Sequence, residues 1–404
     1  MANEVSLTFT GDIGFDKYMD KKWEDENLLS KEVMDFLTDT DHLIINVEGP
    51  LSVKEEQSGS EASTKGNSAG LVTNATSSAA QLIHSMDAAA AGFFNKIGAD
   101  VWNICNNHIM DAGPEGMAST LEEARKAGVM TLGAGMNIEE ASKPVIFEEA
   151  GGIGLIGVGY QRACRKASEE IPGCFSWSDM ERINQQIKEI KKTCRWCIVV
   201  AHGGEEFTAL PSPYTRKRYM DYLDMGADIV VSHHPHVPMN YETFPGKAIF
   251  YSLGNFIFDT DYQRSQFNTE KGLFIKLKFT ENDFSFEPFG IKIDRECDHV
   301  IKAELPEIFV DVQEEEYELL APLAAKMFIA NTKRQLKYMK PDKFNDSTTD
   351  EEWYDNFYEP LRSGRVPGEV LDFQIVYPLS LEEEKKAWKN SKLEAVKSFM
   401  LSQL

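Results

Sequence analysis

Five short apolar runs in this sequence each end in a residue type that binds metal ions. They are VSLTFT followed by Gly11-Asp12, LIIN by Val47-Glu48, NIC by Asn106-Asn107-His108, IVVA by His202, and IVVS by His233-His234-Pro235-His236. One polar residue at the end of a strand means little, because strand ends need turns; Asp12 after Gly11, or the Asn106-Asn107 pair, could each be turn residues. The segment SHHPHV is different, since three histidines in four positions have no packing reason to stand at a strand end. Five of the eight histidines fall in this set, while His42, His84 and His299 lie outside it and read as ordinary surface or core imidazoles.

Carboxylate, amide oxygen and imidazole together suit borderline divalent ions such as Mn, Fe or Zn, so one or two such ions are the expected cofactor. One carboxylate can bridge two ions, and a hydroxide held between them would attack phosphorus while both ions neutralise the developing charge. His108, beside the candidate ligand Asn107, would be free to protonate the leaving oxygen. Tyr160 and Arg162, just after the run IGLIGVG, are candidate substrate contacts. Arg216, Lys217 and Arg218 are further cations, read mostly as solvated helix surface.

The elements that must position these residues can be read from periodicity. Val- and Ile-rich runs alternate with helical stretches up to Thr38, across Met86 to Ile97, Pro114 to Ala127, Asp179 to Lys192 and Tyr214 to Met225, which predicts α/β layers. Ligands in such sheets bind at the carboxyl ends of the strands, where the five sets stand. Past Gly246, the runs AIFYSL, GLFIKLKF and FSFEPFGIKI alternate with period two and read as antiparallel strands of a second sheet or its edge. The Ser- and Gly-rich stretch over about 54–78 reads as a long surface loop. Residues 1–299 form the expected main domain and 300–404 an acidic, mainly helical C-terminal extension, its charge run a solvated helix face.

Composition limits the partners. Lys and Arg number 42 against 65 Asp and Glu, a net charge of −23 that repels nucleic acid and anionic lipid. Six scattered cysteines do not form a disulfide framework, so reduced thiols in a reducing compartment are expected, with Cys194 and Cys197 as core or edge thiols. The first residues carry no signal-peptide pattern and no apolar run approaches a membrane span, which predicts a soluble, cytoplasmic chain as given, or an exported or anchored one had a leader been trimmed.

The ordered blocks TGDIGFD, NVEGPL, NNHIMDAG, AHGGEEF and GADIVVSHHPHVPMNYE, followed by GKAIFYSLGNFIFD, resemble the poly-gamma-glutamate capsule-synthesis (CapA-type) family, related to calcineurin-like metallophosphoesterases. The resemblance covers roughly Val5 to Asp259. It implies a four-layer α/β/β/α sandwich with the metal site at one edge. It also implies that Asp12 and His236 hold one ion, that Asn107, His202 and His234 hold the other, and that Glu48 stands where the phosphoesterases place a bridging Asp. Glu206 and Asn255 match family positions that line the same pocket. Two departures stand out: Gly14 replaces the imidazole of the phosphoesterase Asp-x-His, weakening the first ion position, and Gly203 stands where the family has a Trp.

Three functions follow as alternatives. A hydrolase would act on a phosphoester, or on an amide of a glutamate polymer. A non-catalytic polymer-handling or assembly subunit would keep the site as a metal and anion pocket, a reading that Gly14 favours. A structural protein would use its histidines only to cap strands. The expected partner is an anionic small molecule or polymer, and the sequence is silent on oligomeric state.

Overall fold

The computed structural model describes residues 4–52, 83–159 and 165–321, with a few positions as far as Val396. The expected loop over 54–78, the candidate contacts Tyr160 and Arg162, and nearly all of the extension beyond 321 lie outside the described residues.

Two large sheets carry most of the described mixed α/β chain, with two two-stranded pairs beside them. In the eight-stranded sheet, Val5–Gly14, His42–Val47, Val101–Asn103 and Met130–Leu132 run parallel. Lys271–Phe279, Phe284–Asp294 and His299–Lys302 continue it antiparallel on the other side of Val5–Gly14, and Asn255–Phe258 pairs with that strand's C-terminal end. The six-stranded sheet is parallel through Ile153–Gly159, Trp196–His202, Ile229–His233 and Lys247–Phe250, with antiparallel edges at Val145–Phe147 and Tyr241–Phe244.

Successive side chains of a strand point to opposite faces, so one apolar run can serve two cores. Trp196, Ile198 and Val200 pack with Leu7, Phe9 and Ile44 of the other sheet. The alternate residues Cys197, Val199 and Ala201 pack under Ile183 and Ile187 of the helix Met180–Thr193 and Tyr219 and Tyr222 of the helix Pro213–Met225. On the far side of the larger sheet, Leu43, Ile45 and Val47 meet Phe36, Phe94 and Met117 from the helices Lys31–Thr38, Ala91–Lys96 and Gly113–Ala127. Among the described residues, no helix is long and apolar enough to cross a membrane.

Several expectations are corrected. The helix read over Met86 to Ile97 begins later: Met86–Asp87 pairs as a strand with Leu51–Ser52, and Asp87 accepts the Ala89 N–H, so a 3-10 turn precedes Ala91–Lys96. GLFIKLKF and FSFEPFGIKI are antiparallel but extend the first sheet, whereas the AIFYSL strand lies in the second, parallel to Ile229–His233. Period-two alternation reports a half-buried strand and carries no partner or direction. Cys174 is disulfide-bonded while Cys105, Cys194, Cys197 and Cys297 are free thiols, so the expectation of uniformly reduced cysteines does not hold.

Arg216 and Arg218 are not solvated helix surface either. Arg216 donates through Nε and Nη2 to both oxygens of fully buried Glu242, at 2.7 and 2.8 Å. Tyr251 donates to the same carboxylate at 2.8 Å, and the guanidinium lies over the Tyr317 ring at 4.5 Å. Arg218 donates to the Trp177 carbonyl and the Tyr214 hydroxyl. Removing one partner of a buried ion pair leaves the other charge uncompensated, so Arg216→Ala is expected to destabilise the fold by about 3–5 kcal/mol. A urea melt that shifted by less than about 1 kcal/mol, the range of exposed pairs, would refute it.

Candidate metal centre

Asp12 owes its position to an irregularity in its own strand. The pairing of Val5–Gly14 with both neighbours shifts register at Asp12, and such bulges re-aim a side chain. Gly11 makes this possible, since a Cβ there would collide with the Gly254 carbonyl oxygen, which accepts the Asp12 N–H at 3.0 Å. Asp12 thus stands in register with Asn46 on one side and Asn255 on the other. In the second sheet His202 is the register partner of His233. The chain then turns through His234 and His236 at φ 96° and 59°. Non-glycine residues in that region cost about 1–3 kcal/mol each and persist where their surroundings over-determine them.

These strand ends bring Asp12, Glu48, Asn107, His202, His234 and His236 together. His236 Nδ1 lies 3.2 Å from Asp12 Oδ2, and His202 Nε2 lies 2.8 Å from Asn107 Oδ1. Glu48 Oε1 stands between the halves, 3.6 Å from His202 Nε2 and 3.7 Å from His236 Nε2. Two triads of donor atoms are close enough to hold an ion, Glu48 with His234 and His236, and Asp12 with Glu48 and His202; Glu48 belongs to both.

The carboxylate of Glu48 is the clearest sign that a cation fits here. The residue is fully buried, and neither of its oxygens has a hydrogen-bond partner among the described residues. A carboxylate removed from water costs several kcal/mol unless paired, hydrogen-bonded or bound to metal. Burial, and then the nearby acids Asp12, Glu206 and Asp111, push its carboxyl well above the usual range despite His236. Burial would raise Asp12 too, but the bond from His236 and the charges of His236, His233 and His234 hold it below its ordinary value. Burial depresses His202 well below the usual imidazole range and His234 to about 4. His236 resists burial, because Glu48 and Asp12 push it up to about 10.

His108 stands beside Asn107 with Nδ1 donating to Asp111 Oδ2 at 2.7 Å, which leaves Nε2 as its exchanging atom. Glu206 Oε1 is 4.0 Å from His234 Nε2. Asn255 is fully buried, with Oδ1 2.9 Å from His236 Nδ1.

Sequence reading missed the groups that hold these residues in place. Asn46 Nδ2 donates to Asp12 Oδ1 at 2.8 Å and lies 3.4 Å from His202 Nδ1, while Asn103 Nδ2 donates to Asn46 Oδ1 at 2.7 Å. The available signal was asparagine inside apolar strands, where it is depleted unless its amide has work. His233 donates from Nε2 to the Thr10 carbonyl at 2.8 Å and faces the Ala201 carbonyl at 3.3 Å, tying one sheet to the other behind Asp12 and His202. His84, read as an ordinary imidazole, is buried beside the site, paired with Asp16 at 2.9 Å and edge-to-face with His108 at 4.3 Å between centroids. His42 stacks on Phe147 and His299 pairs with Asp25, both away from the centre.

Comparison with known proteins points to the same family. The chain is 30% identical over 267 residues to the PGA biosynthesis protein CapA of Bacillus subtilis (strain 168), covering 65% of each chain. It is 34% identical over 175 residues to the capsule biosynthesis protein CapA of Bacillus anthracis, covering 42% of each. A probable polyglutamine synthesis accessory protein of Mycobacterium tuberculosis is 26% identical over 39% of this chain and 44% of its own. The matches thus span less than two thirds of these relatives' lengths. The model of the bacterial capsule synthesis protein family PGA_cap matches residues 6–260, an interval that holds every residue of the centre from Asp12 to Asn255. That match spans more than half of the chain, and the chain belongs to the PGA_cap family.

Proposed function

We propose that this protein serves capsule-type polymer metabolism as a metal-dependent hydrolase of a phosphoester. The observation that carries the proposal is Glu48, a buried carboxylate with no hydrogen bond to either oxygen among the described residues, set between His202, His234 and His236. On this reading Asp12, Glu48, Asn107, His202, His234 and His236 hold one or two divalent ions, with Mn, Fe or Zn suited to the donor set. Such ions, when bound, supply Lewis acidity and lower the pKa of water. The protein's own part is to fix the donors through Asn46 and His233 and to hold a proton on His108 Nε2, oriented by Asp111. Glu206 borders the pocket on the His234 side. The three cores around the two sheets support a four-layer α/β/β/α stacking. The start of the C-terminal extension packs through Val312, Tyr317 and Leu320 on Phe207, Leu210 and Val237, beside the ligand loops.

A non-catalytic polymer-handling role is favoured by one observation. Gly14 supplies no imidazole where the phosphoesterases have one, and a Cβ there would have to displace the Phe258 ring. An amide of a glutamate polymer is the alternative substrate under the hydrolytic reading.

One experiment separates these readings. Protein refilled with Mn, Fe or Zn is expected to gain thermal stability and to turn over an aryl phosphate mono- or diester. Turnover of poly-γ-glutamate instead would select the amide reading. A metal-induced shift without turnover of either would select polymer handling, and no shift at all would overturn the metal reading.

A further inference from the structure

Gly14 supplies no donor on the Asp12 side of the centre, while Asn255, the register partner of Asp12 on the adjacent strand, turns its amide oxygen to His236. We propose that Asn255 is a metal ligand, its Oδ1 taking the coordination position that has no imidazole in this chain. The inference rests on the metal reading above.

Three donor atoms meet at this point. His236 Nδ1 lies 2.9 Å from Asn255 Oδ1 and 3.2 Å from Asp12 Oδ2. An imidazole carries at most one hydrogen at Nδ1, so one nitrogen facing two acceptor oxygens is better matched to a shared cation than to a pair of hydrogen bonds. The orientation of Asn255 is not adjustable. Its Nδ2 donates to the Thr269 carbonyl at 2.9 Å and to Gln263 Oε1 at 3.3 Å, which commits both amide hydrogens and leaves Oδ1 as the atom aimed at the centre. Thr269 is itself fixed by donating to the Gln263 carbonyl and accepting from Arg295.

The backbone reinforces the placement. Asn255 and Asp12 are direct register partners on adjacent parallel strands, so both side chains leave the sheet at the same level. The Phe258 ring, three residues further on, fills the space beside Gly14 and stacks on His236 at 4.9 Å between centroids. One strand therefore fills the space beside Gly14 and carries the amide oxygen that faces His236. An amide oxygen is a suitable ligand for Mn or Mg and an acceptable one for Zn.

The rival role for Asn255 is to orient His236 by accepting a hydrogen from Nδ1, with Nε2 as the ligating nitrogen. Metal counting and histidine NMR separate the two. Asn255→Ala, purified full-length, refilled with Mn and passed through gel filtration, is expected to hold one ion fewer per chain than wild type. Asn255→Asp, which keeps an oxygen at that place, is expected to hold the wild-type number. In zinc-loaded wild type labelled with 15N, His236 is expected to coordinate through Nδ1, a readout that needs no variant. An unchanged ion count in Asn255→Ala overturns the proposal, as does coordination through Nε2 with a hydrogen on Nδ1. Wild type that binds no ion fails the parent reading instead, before the variants are compared.

Discussion

Replacing Glu48 by glutamine is expected to remove the metal from this protein. Glu48 is the one residue shared by both donor triads, so its loss acts on both halves of the centre at once. The expected fall in affinity exceeds the roughly 10–100-fold cost of losing a supporting outer-shell group. Wild type at an ion concentration 100 times its dissociation constant gains about 2.7 kcal/mol of stability. Glu48→Gln is expected to show no such gain. Ion-free protein should respond in the opposite sense, because glutamine removes a buried ionisable group whose oxygens accept no hydrogen bond among the described residues. The unfolded chain gives up the Glu48 proton near its ordinary value of 4.5, whereas the folded chain holds it to higher pH. While His202 and His234, depressed by burial, contribute in the opposite sense up to about 6.5, the Glu48 contribution to ion-free stability is lost as pH rises above about 4.5, and the variant lacks it. His236 acts with the same sign: its imidazole is pushed from 6.5 to about 10, so stability drains further as pH rises from 6.5 towards 10. A variant that kept the metal-induced melting shift of wild type would refute the assignment of Glu48.

The sequence shows the ligand types more readily than what holds them. Asp12, Glu48, Asn107, His202, His234 and His236 are legible because parallel strands end in loops at one edge, so residues far apart in the chain converge there without further information. Asn46 is not legible as a bridge, since the same residue in an apolar run could face either sheet surface, and only the bulge at Asp12 brings its amide between Asp12 and His202. Asn255 matches a family position but gives no hint of pointing at His236, because that depends on its parallel pairing with Asp12, 243 residues earlier. Arg216 misled for a related reason. On a helix of polar residues a cation reads as solvent-facing, and its partner Glu242 lies on an edge strand whose position the local pattern does not encode. Long-range pairing decides each of these cases, and periodicity carries none of it.

His108→Ala is the variant that decides between hydrolysis and polymer handling. If His108 protonates the leaving oxygen, turnover is expected to fall by about 10²–10⁴-fold. Metal content should stay at the wild-type level, since the His108 side chain belongs to neither donor triad. Asp111→Asn is expected to give a smaller fall with the same metal content, because Asp111 fixes which nitrogen of His108 carries the exchanging proton and holds the His84 backbone N–H at 2.8 Å. The pH profile offers an independent check. Burial, opposed by the bond to Asp111, leaves His108 below its ordinary value of 6.5. Its acid form therefore declines as pH rises through a value below 6.5, and the wild-type rate should decline over the same interval. His108→Ala should lose that limb of the profile while keeping whatever residual rate the ions and the remaining side chains supply. Unchanged turnover in His108→Ala would remove the general-acid role. Unchanged polymer binding with no turnover in either protein would leave the centre as an anion-binding pocket, with His108 and Asp111 only shaping its wall.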